Sequence, residues 1–125
     1  MKKIFAVIMS LLALGGCAAS ESDIGYRQIS SAQAMEMMAQ ESDYIILDVR
    51  TAEEYAEIHI KGAVNLPNEL ISDEEISQLP DKDKLIMVYC RSGNRSKQAA
   101  EKLVKLGYTN IVEFGGINSW QGETE

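Results

Sequence analysis

The chain has 125 residues, a length that corresponds to one domain rather than two. Of these residues 46% are hydrophobic and 25% charged, a composition typical of a globular protein. Its formal net charge is −7. Binding to DNA or RNA depends on basic groups that displace counterions, so we expect no nucleic-acid partner for so acidic a chain.

The first 16 residues are organised like a secretory signal. Two lysines follow Met1, residues 4–14 form an apolar run, and Gly15 and Gly16 precede Cys17. Eleven helical residues span about 16 Å, which is too short for an apolar layer about 30 Å thick, so a permanent transmembrane helix is not predicted. The residues before Cys17 resemble a bacterial lipobox, in which the cysteine is acylated and becomes the new N-terminus. The alternative is an ordinary signal peptide that is cleaved near a cysteine.

The lipobox interpretation divides the chain into a signal peptide (1–16), a lipidated tether (17–25) and a folded domain (26–122). Removal of the signal leaves 109 residues with ten basic and 19 acidic side chains, so the net charge becomes −9. We therefore expect an extracytoplasmic lipoprotein, in the periplasm or at the cell surface, which contacts the membrane through its N-terminal lipid. Cys90 is then the only thiol of a domain large enough to fold around a hydrophobic core without a disulfide.

Hydrophobic periodicity and turn signals predict strands and helices in alternation, which favours a parallel α/β sheet. In chain order, the predicted elements are a strand at 27–29, a helix capped by Ser30 or Ser31, a strand at 44–47, a short helix capped by Thr51, a strand at 62–67, a helix at 72–79, a strand at 85–89, a helix at 96–106 that ends at Gly107, and a strand at 110–113. The run 85–89 is apolar at every position, as in a central strand covered on both faces. The helix after Ser30 is expected to bury a face made of Ala32, Met35, Met38 and Ala39, with methionine as a core filler rather than a metal ligand.

Cys90 follows the predicted central strand, and a helix begins about six residues later. In open α/β sheets, ligands bind outside the carboxyl ends of the strands, and backbone N–H groups at a helix N-terminus attract anions. The same N–H groups, together with Arg91 and Arg95, are expected to lower the pKa of the Cys90 thiol. Gly93 allows the loop to bend tightly. The pattern predicts a nucleophilic thiolate within an anion-binding loop, rather than an inert buried cysteine.

Four groups of residues form one larger pattern across residues 26–122. They are Asp48-Val49-Arg50 with Glu53 and Tyr55, then His59-Ile60-Lys61-Gly62-Ala63 with Asn65 and Pro67, then the run from Cys90 to Ser96, and Gly115-Gly116 with Trp120. In order and spacing, this pattern resembles the single-domain rhodaneses, a family of thiosulfate sulfurtransferase-like domains. The resemblance implies a five-stranded parallel sheet flanked by helices.

The resemblance also implies a chemistry for Cys90. The cysteine would take sulfane sulfur from thiosulfate, a persulfide or a polysulfide, hold it as a persulfide, and pass it to cyanide or a thiol. An acceptor carried by a protein is also compatible with this scheme. The loop would cradle the persulfide through its backbone N–H groups, and its two arginines would hold an anionic leaving group. The loop residues are Arg91, Ser92, Gly93, Asn94 and Arg95.

Other marked residues are expected to support the fold rather than react. Asp48, Arg50 and Glu53 are predicted to form an ion network that fixes the loop after the second strand. His59 occupies a position that belongs to a structural turn in the family, and an ionised thiolate needs no general base. No cluster has the spacing of metal ligands and no glycine motif for a nucleotide is present, so we expect no metal and no cofactor.

Two alternatives are less well supported. Four residues separate Cys90 from Arg95, whereas cysteine phosphatases have five, and the shorter loop fits sulfur better than phosphate or arsenate. A non-catalytic rhodanese-like module that binds or relays persulfide for a protein partner is the second alternative. The presence of Cys90 and of both loop arginines favours an enzyme, although the acidic chain does not steer anionic thiosulfate towards the site.

Overall fold

The computed structural model describes residues 24–125, so the predicted signal peptide, Cys17 and most of the predicted tether lie outside the described residues. Within residues 24–125, five parallel strands form one sheet in the order β1-β5-β4-β2-β3. The strands are β1 (Arg27–Gln28), β2 (Tyr44–Asp48), β3 (Val64–Asn65), β4 (Leu85–Cys90) and β5 (Ile111–Gly116). The predicted fold class, a five-stranded parallel sheet flanked by helices, is confirmed.

Three α-helices connect these strands in the described part of the chain. They are α1 (Ser31–Gln40), α2 (Ala52–Glu57) and α3 (Asn94–Lys105), and single 3-10 turns lie at Asn68–Leu70 and Ile117–Ser119. None of the helices in residues 24–125 combines the length and the apolar character needed to cross a membrane.

Strand β4 lies between β5 and β2, and all six of its residues are buried, as the uninterrupted apolar run predicts. Alternate residues of a strand face opposite sides of the sheet. Ile86, Val88 and Cys90 belong to the apolar core that packs against α3, whereas Met87 and Tyr89 belong to the core on the α1 side. The register of β4 therefore directs the side chain of Cys90 towards the N-terminal end of α3.

Helix α1 has its predicted cap, but of the four residues predicted to form its buried face only Met38 packs against the core. Ser30 and Gln33 form a reciprocal capping box, in which the Gln33 N–H donates to Ser30 Oγ over 3.1 Å and the Ser30 N–H donates to Gln33 Oε1 over 2.9 Å. The residues that face the sheet are Ala34, Met37 and Met38, while Ala32, Met35 and Ala39 are exposed. Both faces of this helix carry alanine and methionine, so hydrophobicity alone does not determine which of them is buried.

The predicted helix at 72–79 is also wrong, because this segment forms turns. Its buried apolar residues, Ile76 and Leu79, have a spacing that a helix would also place on one face, so the hydrophobic pattern alone does not distinguish the turns from a helix. The Ser72 hydroxyl accepts a hydrogen bond from the Glu74 N–H over 3.3 Å, a local bond that competes with helix formation. The Tyr108 hydroxyl donates to the carbonyl of Leu79 and anchors the turn against the end of α3.

Candidate active site

The loop after β4 is shorter than predicted, because α3 begins at Asn94 rather than at residue 96. Gly93 precedes the helix with φ of +116°, a conformation that glycine adopts far more easily than other residues. The end of β5 lies directly against this loop, and a Cβ atom at Gly116 would overlap the backbone of Arg91. Only Arg91, Ser92 and Gly93 therefore lie between the strand and the helix, and Arg95 belongs to the first turn of α3.

The sulfur of Cys90 lies among hydrogen-bond donors at this helix N-terminus. The Gly93 N–H donates to Sγ over 3.0 Å, and Sγ lies 3.4 Å from Oγ of Ser96. Burial raises the pKa of the Cys90 thiol, but the interaction with the Ser96 side chain and hydrogen bonds from the N–H groups of Ser96, Gly93 and Ser92 outweigh it, so that the pKa lies below its usual range. This arrangement favours the thiolate, which is the nucleophilic form of cysteine.

Of the two causes predicted from the sequence, the backbone N–H groups contribute to the lowered pKa of Cys90, whereas the charges of Arg91 and Arg95 are not among its main causes. Arg95 makes its strongest interaction elsewhere, since its pKa is raised first by its hydrogen bond to Glu54 and only to a smaller extent by Cys90. Asn94 and Ser92 are both exposed; Ser92 acts on Cys90 through its backbone N–H.

Glu54 is the partner of both loop arginines. Arg95 Nη1 lies 2.8 Å from Oε1 and Arg95 Nη2 lies 3.2 Å from Oε2, while Arg91 Nη2 and Nε lie 3.1 Å and 3.3 Å from Oε2. The hydrogen bond from Arg95 is the main reason that the pKa of Glu54 lies well below its usual range. The loop thus carries two positive charges and one closely bound negative charge.

The prediction that Glu53 takes part in the ion network is wrong. Glu53 is exposed, and its side chain forms no hydrogen bond or ion pair with any residue in the range 24–125. Thr51 caps α2 as predicted, and its capping box with Glu54 turns the carboxylate of Glu54 towards the loop after β4. The spacing of Thr51 and Glu54 is the sequence signal that could have identified the correct acid.

Asp48 and Arg50 form a buried ion pair at the end of β2, with 2.7 Å between Arg50 Nη2 and Asp48 Oδ2. Arg50 also donates to the carbonyl of Ile58 over 2.6 Å, and the Tyr89 hydroxyl donates to Asp48 Oδ2 over 2.5 Å. These bonds connect the loop that carries α2, and therefore Glu54, to the central strand beside Cys90. The pair lies below the surface and contacts neither Arg91 nor Arg95.

Sequence reasoning missed Glu113, a buried carboxylate next to the loop. Its Oε2 accepts hydrogen bonds from the Ser96 hydroxyl over 2.5 Å and from the Gly115 N–H over 2.9 Å. The Ser96 hydroxyl also lies 3.0 Å from the carbonyl of Gly93, so this one group joins the loop, α3 and β5. An acidic residue within the apolar run of β5 was the available signal.

His59 lies apart from the sulfur and stabilises a turn, as the resemblance implies. Its ring stacks on Tyr55 with 3.8 Å between ring centroids, Nδ1 lies 2.8 Å from the carbonyl oxygen of Tyr55, and Nε2 lies 3.4 Å from a carboxylate oxygen of Glu125. In the region from residue 24 to 125, no group of three or more His, Cys, Asp or Glu side chains is arranged to hold a metal ion.

Comparison with known proteins adds to this geometry. Residues 30–123 match the family model described as the Rhodanese-like domain. The chain is 38% identical over 71 residues to thiosulfate sulfurtransferase PspE of Escherichia coli, which covers 57% of this chain and 68% of PspE. It is 35% identical over 97 residues to thiosulfate sulfurtransferase GlpE of Coxiella burnetii, which covers 77% of this chain and 88% of GlpE.

Solved structures show the same similarity. A rhodanese with anions from E. coli aligns with a TM-score of 0.60 at 35% identity, over 66% of this chain and 96% of that one. The solution structure of a Rhodanese-like domain from Anabaena aligns with a TM-score of 0.70 at 30% identity, over 78% of this chain and 77% of that one.

Proposed function

The chain belongs to the Rhodanese-like domain family, and we propose that it is a sulfurtransferase that transfers sulfane sulfur through a persulfide on Cys90, outside the cytoplasm and at a membrane surface. The observation that carries the proposal is the position of the Cys90 sulfur, which accepts an N–H bond at the N-terminus of α3 and has a lowered pKa. The relatives named thiosulfate sulfurtransferase support thiosulfate as one donor.

The first half-reaction loads the cysteine. The Cys90 thiolate attacks the outer sulfur of thiosulfate, a new S–S bond forms, and the bond to the oxidised sulfur breaks so that sulfite leaves with the electron pair. The terminal sulfur of the persulfide then carries the negative charge. The N–H groups of Ser92, Gly93 and Ser96 that stabilise the thiolate are placed to stabilise this persulfide as well.

The second half-reaction transfers the sulfane sulfur from Cys90 to an acceptor. Cyanide or a thiol attacks the terminal sulfur, and the Cys90 thiolate leaves with the electron pair of the S–S bond. When cyanide is the acceptor, the product is thiocyanate. The chain contains one other cysteine, Cys17, which we propose to be acylated. No second thiol of the domain then resolves the persulfide, so it persists until an acceptor arrives.

The proposed location follows from the N-terminal sequence. The basic start, the apolar run and the cysteine at position 17 support export and acylation of Cys17, which would hold the domain at the outer face of a membrane. Sulfur acceptors outside the cytoplasm, whether a small thiol or a protein, are the partners this location would provide.

Intact-mass analysis tests the chemistry. The reduced domain is incubated with thiosulfate, and the expected gain is one sulfur atom, about 32 Da, which cyanide then removes as thiocyanate. Cys90→Ser should show neither step, because a hydroxyl is hardly ionised at neutral pH and accepts sulfane sulfur poorly. Polysulfide and thiol persulfides are tested as further donors. If the folded wild type gains no mass from any of them, the enzyme proposal fails and a non-catalytic binding or relay module takes its place.

A further inference from the structure

A single carboxylate holds the two cationic side chains of the catalytic loop. Glu54 accepts six hydrogen bonds, two from Arg95, two from Arg91 and two from Thr51, so both of its oxygens are fully engaged. The carboxylate is 17% exposed, and Thr51 anchors it through the capping box of α2. An exposed and unanchored acid could swing away from the arginines, but Glu54 is fixed between them.

An anionic sulfur donor therefore competes with Glu54 for the loop arginines. The side chains of Arg91, Arg95 and Glu54 together carry two positive charges and one negative charge, so their net charge is +1. A second acid, Glu69, also acts electrostatically on Arg95. Thiosulfate carries two negative charges, and Coulomb energy is proportional to the charge of the ligand. When Glu54 cancels one positive charge of the loop, thiosulfate therefore loses twice as much electrostatic attraction as a donor with one negative charge.

We propose that Glu54 determines the donor selectivity of Cys90, disfavouring dianionic donors relative to donors with one negative charge or none. Glu54 thereby shifts the donors that this site accepts towards persulfides and organic thiosulfonates and away from free thiosulfate. The inference rests on the proposed sulfurtransferase function and adds to it the charge of the preferred donor. The acidity of the whole chain acts in the same direction, because it does not concentrate dianions near the surface.

Two variants of α2 separate this local effect from a change in overall charge. Glu54→Gln removes the negative charge while its amide oxygen still accepts the hydrogen bonds of Thr51. Glu57→Gln is the matched control, since Glu57 is an exposed acid of the same helix whose side chain contacts no charged partner among residues 24–125. Both substitutions change the net charge of the protein by the same amount.

The measurement compares two donors that deliver the same sulfur. Thiosulfate is a dianion and releases sulfite, whereas benzenethiosulfonate is a monoanion and releases benzenesulfinate. With cyanide as acceptor, Glu54→Gln should raise kcat/KM about tenfold for thiosulfate and about threefold for benzenethiosulfonate, since the gain for a dianion is the square of the gain for a monoanion. Glu57→Gln should leave both values unchanged. The ratio of the kcat/KM values for the two donors does not depend on the reactivity of Cys90 itself, because a change in that reactivity affects both values equally.

Several outcomes would overturn the inference. If Glu54→Gln lowers kcat/KM equally for both donors, Glu54 only positions the loop. If Glu57→Gln shifts the donor ratio as much as Glu54→Gln does, the effect belongs to the overall charge. Thermal unfolding checks that each variant folds. If Glu54→Gln does not fold, Glu54→Asp replaces it, since this variant withdraws the carboxylate by one methylene. Its ratio of kcat/KM for thiosulfate to kcat/KM for benzenethiosulfonate (the donor ratio) should increase by a smaller factor. An unchanged donor ratio in this variant contradicts the inference.

Failure of this inference is distinguishable from failure of the proposed function. A wild-type protein that transfers sulfur from both donors, with a ratio that Glu54→Gln does not change, overturns only the role of Glu54. A wild type that takes up sulfur from neither donor overturns the sulfurtransferase function and the inference with it.

Discussion

The backbone N–H of Gly93 donates a hydrogen bond to the sulfur of Cys90 over 3.0 Å. A backbone donor of this kind is fixed by the path of the chain, and at Gly93 that path has φ of +116°. The reactivity of the cysteine is therefore connected to a backbone conformation that other residues adopt only with strain.

Gly93→Ala should both destabilise the protein and raise the pKa of Cys90. A Cβ at this position has ordinary space, with Gly115 Cα at 3.7 Å, so the cost comes from the left-handed backbone and amounts to about 1–2 kcal/mol. If the loop relaxes to a normal φ, its N–H moves away from the sulfur. Iodoacetamide alkylation measured against pH should then show a higher midpoint than in the wild type.

Gly62→Ala is the matched control for this prediction. Gly62 has φ of +86°, and the methyl group of an alanine there would meet no atom within 4 Å, so the substitution carries the same kind of strain far from the sulfur. It should lower the free energy of unfolding without moving the alkylation midpoint. A midpoint that moves equally in both variants would show that general destabilisation, rather than the lost N–H bond, changes Cys90.

Ser96→Ala should raise the pKa of Cys90, because it removes a side chain whose hydroxyl lies 3.4 Å from the sulfur and which helps to hold this pKa below its usual range. In the wild type we expect half-maximal alkylation below the ordinary thiol value of about 8.5, and in Ser96→Ala at a higher pH. Transfer from thiosulfate should show the same displacement, since the rate falls as pH decreases through the pKa and the thiolate is protonated. Ser30→Ala, which removes a capping serine from α1, should leave the alkylation midpoint unchanged.

The same pKa predicts how stability depends on pH. An acid whose pKa is lowered by folding contributes stability that is fully present above its unfolded value and is lost as pH falls through the folded value. The wild type should therefore gain stability relative to Cys90→Ser as pH rises towards about 8.5. Urea unfolding of both proteins across this range measures the difference, and a constant difference would contradict a lowered pKa.

Local sequence signals account for most of the fold. The apolar run of β4 predicts its central position, Thr51 predicts the start of α2, and Gly107 predicts the end of α3; Gly107 has φ of +98°. The buried face of α1 could not be predicted, because alanine and methionine occur on both of its sides. The segment at 72–79 resembles a helix in sequence because its polar residues suit one, while the packing of Ile76 and Leu79 is decided by contacts distant in the chain.

The candidate site, like the fold, could be predicted only in part from the sequence. Cys90 and its loop are recognisable from contiguous residues, since a strand, a cysteine and a helix start follow one another. Glu54 binds Arg95, which lies 41 residues away in sequence, and Glu113 binds Ser96, which lies 17 residues away. Such pairs form only because the sheet brings the ends of different strands together, so they could not be predicted from contiguous residues. Glu54 could nevertheless be distinguished from Glu53 in the sequence, because the capping box of Thr51 specifies the residue three positions later.

Cys17→Ala should release the protein from membranes or leave an unprocessed precursor. The reason is that acylation and cleavage at a lipobox both require the cysteine, and an apolar run of 11 residues is too short to anchor the chain as a spanning helix. Cell fractionation and N-terminal mass analysis of the wild type and the variant measure both effects. A fully soluble wild type whose N-terminus lies elsewhere than at residue 17 would contradict the proposal that the protein is a lipoprotein.

The buried pair of Asp48 and Arg50 should matter far more to stability than the exposed pairs do. Asp48→Asn leaves the charge of Arg50, which is 3% exposed, without its counter-charge and weakens the acceptor of the Tyr89 hydroxyl. Removing one partner of such a pair costs about 3 kcal/mol.

Glu123→Gln provides the comparison, because Glu123 lies 3.2 Å from Lys61 in an exposed pair whose charges water already screens. Urea unfolding should show a large loss for Asp48→Asn and a nearly unchanged free energy for Glu123→Gln. Since the Asp48 pair holds the loop that carries α2, the donor ratio of Asp48→Asn should also shift towards that of Glu54→Gln. Equal stability losses in the two variants would mean that the Asp48 pair contributes no more than a surface contact.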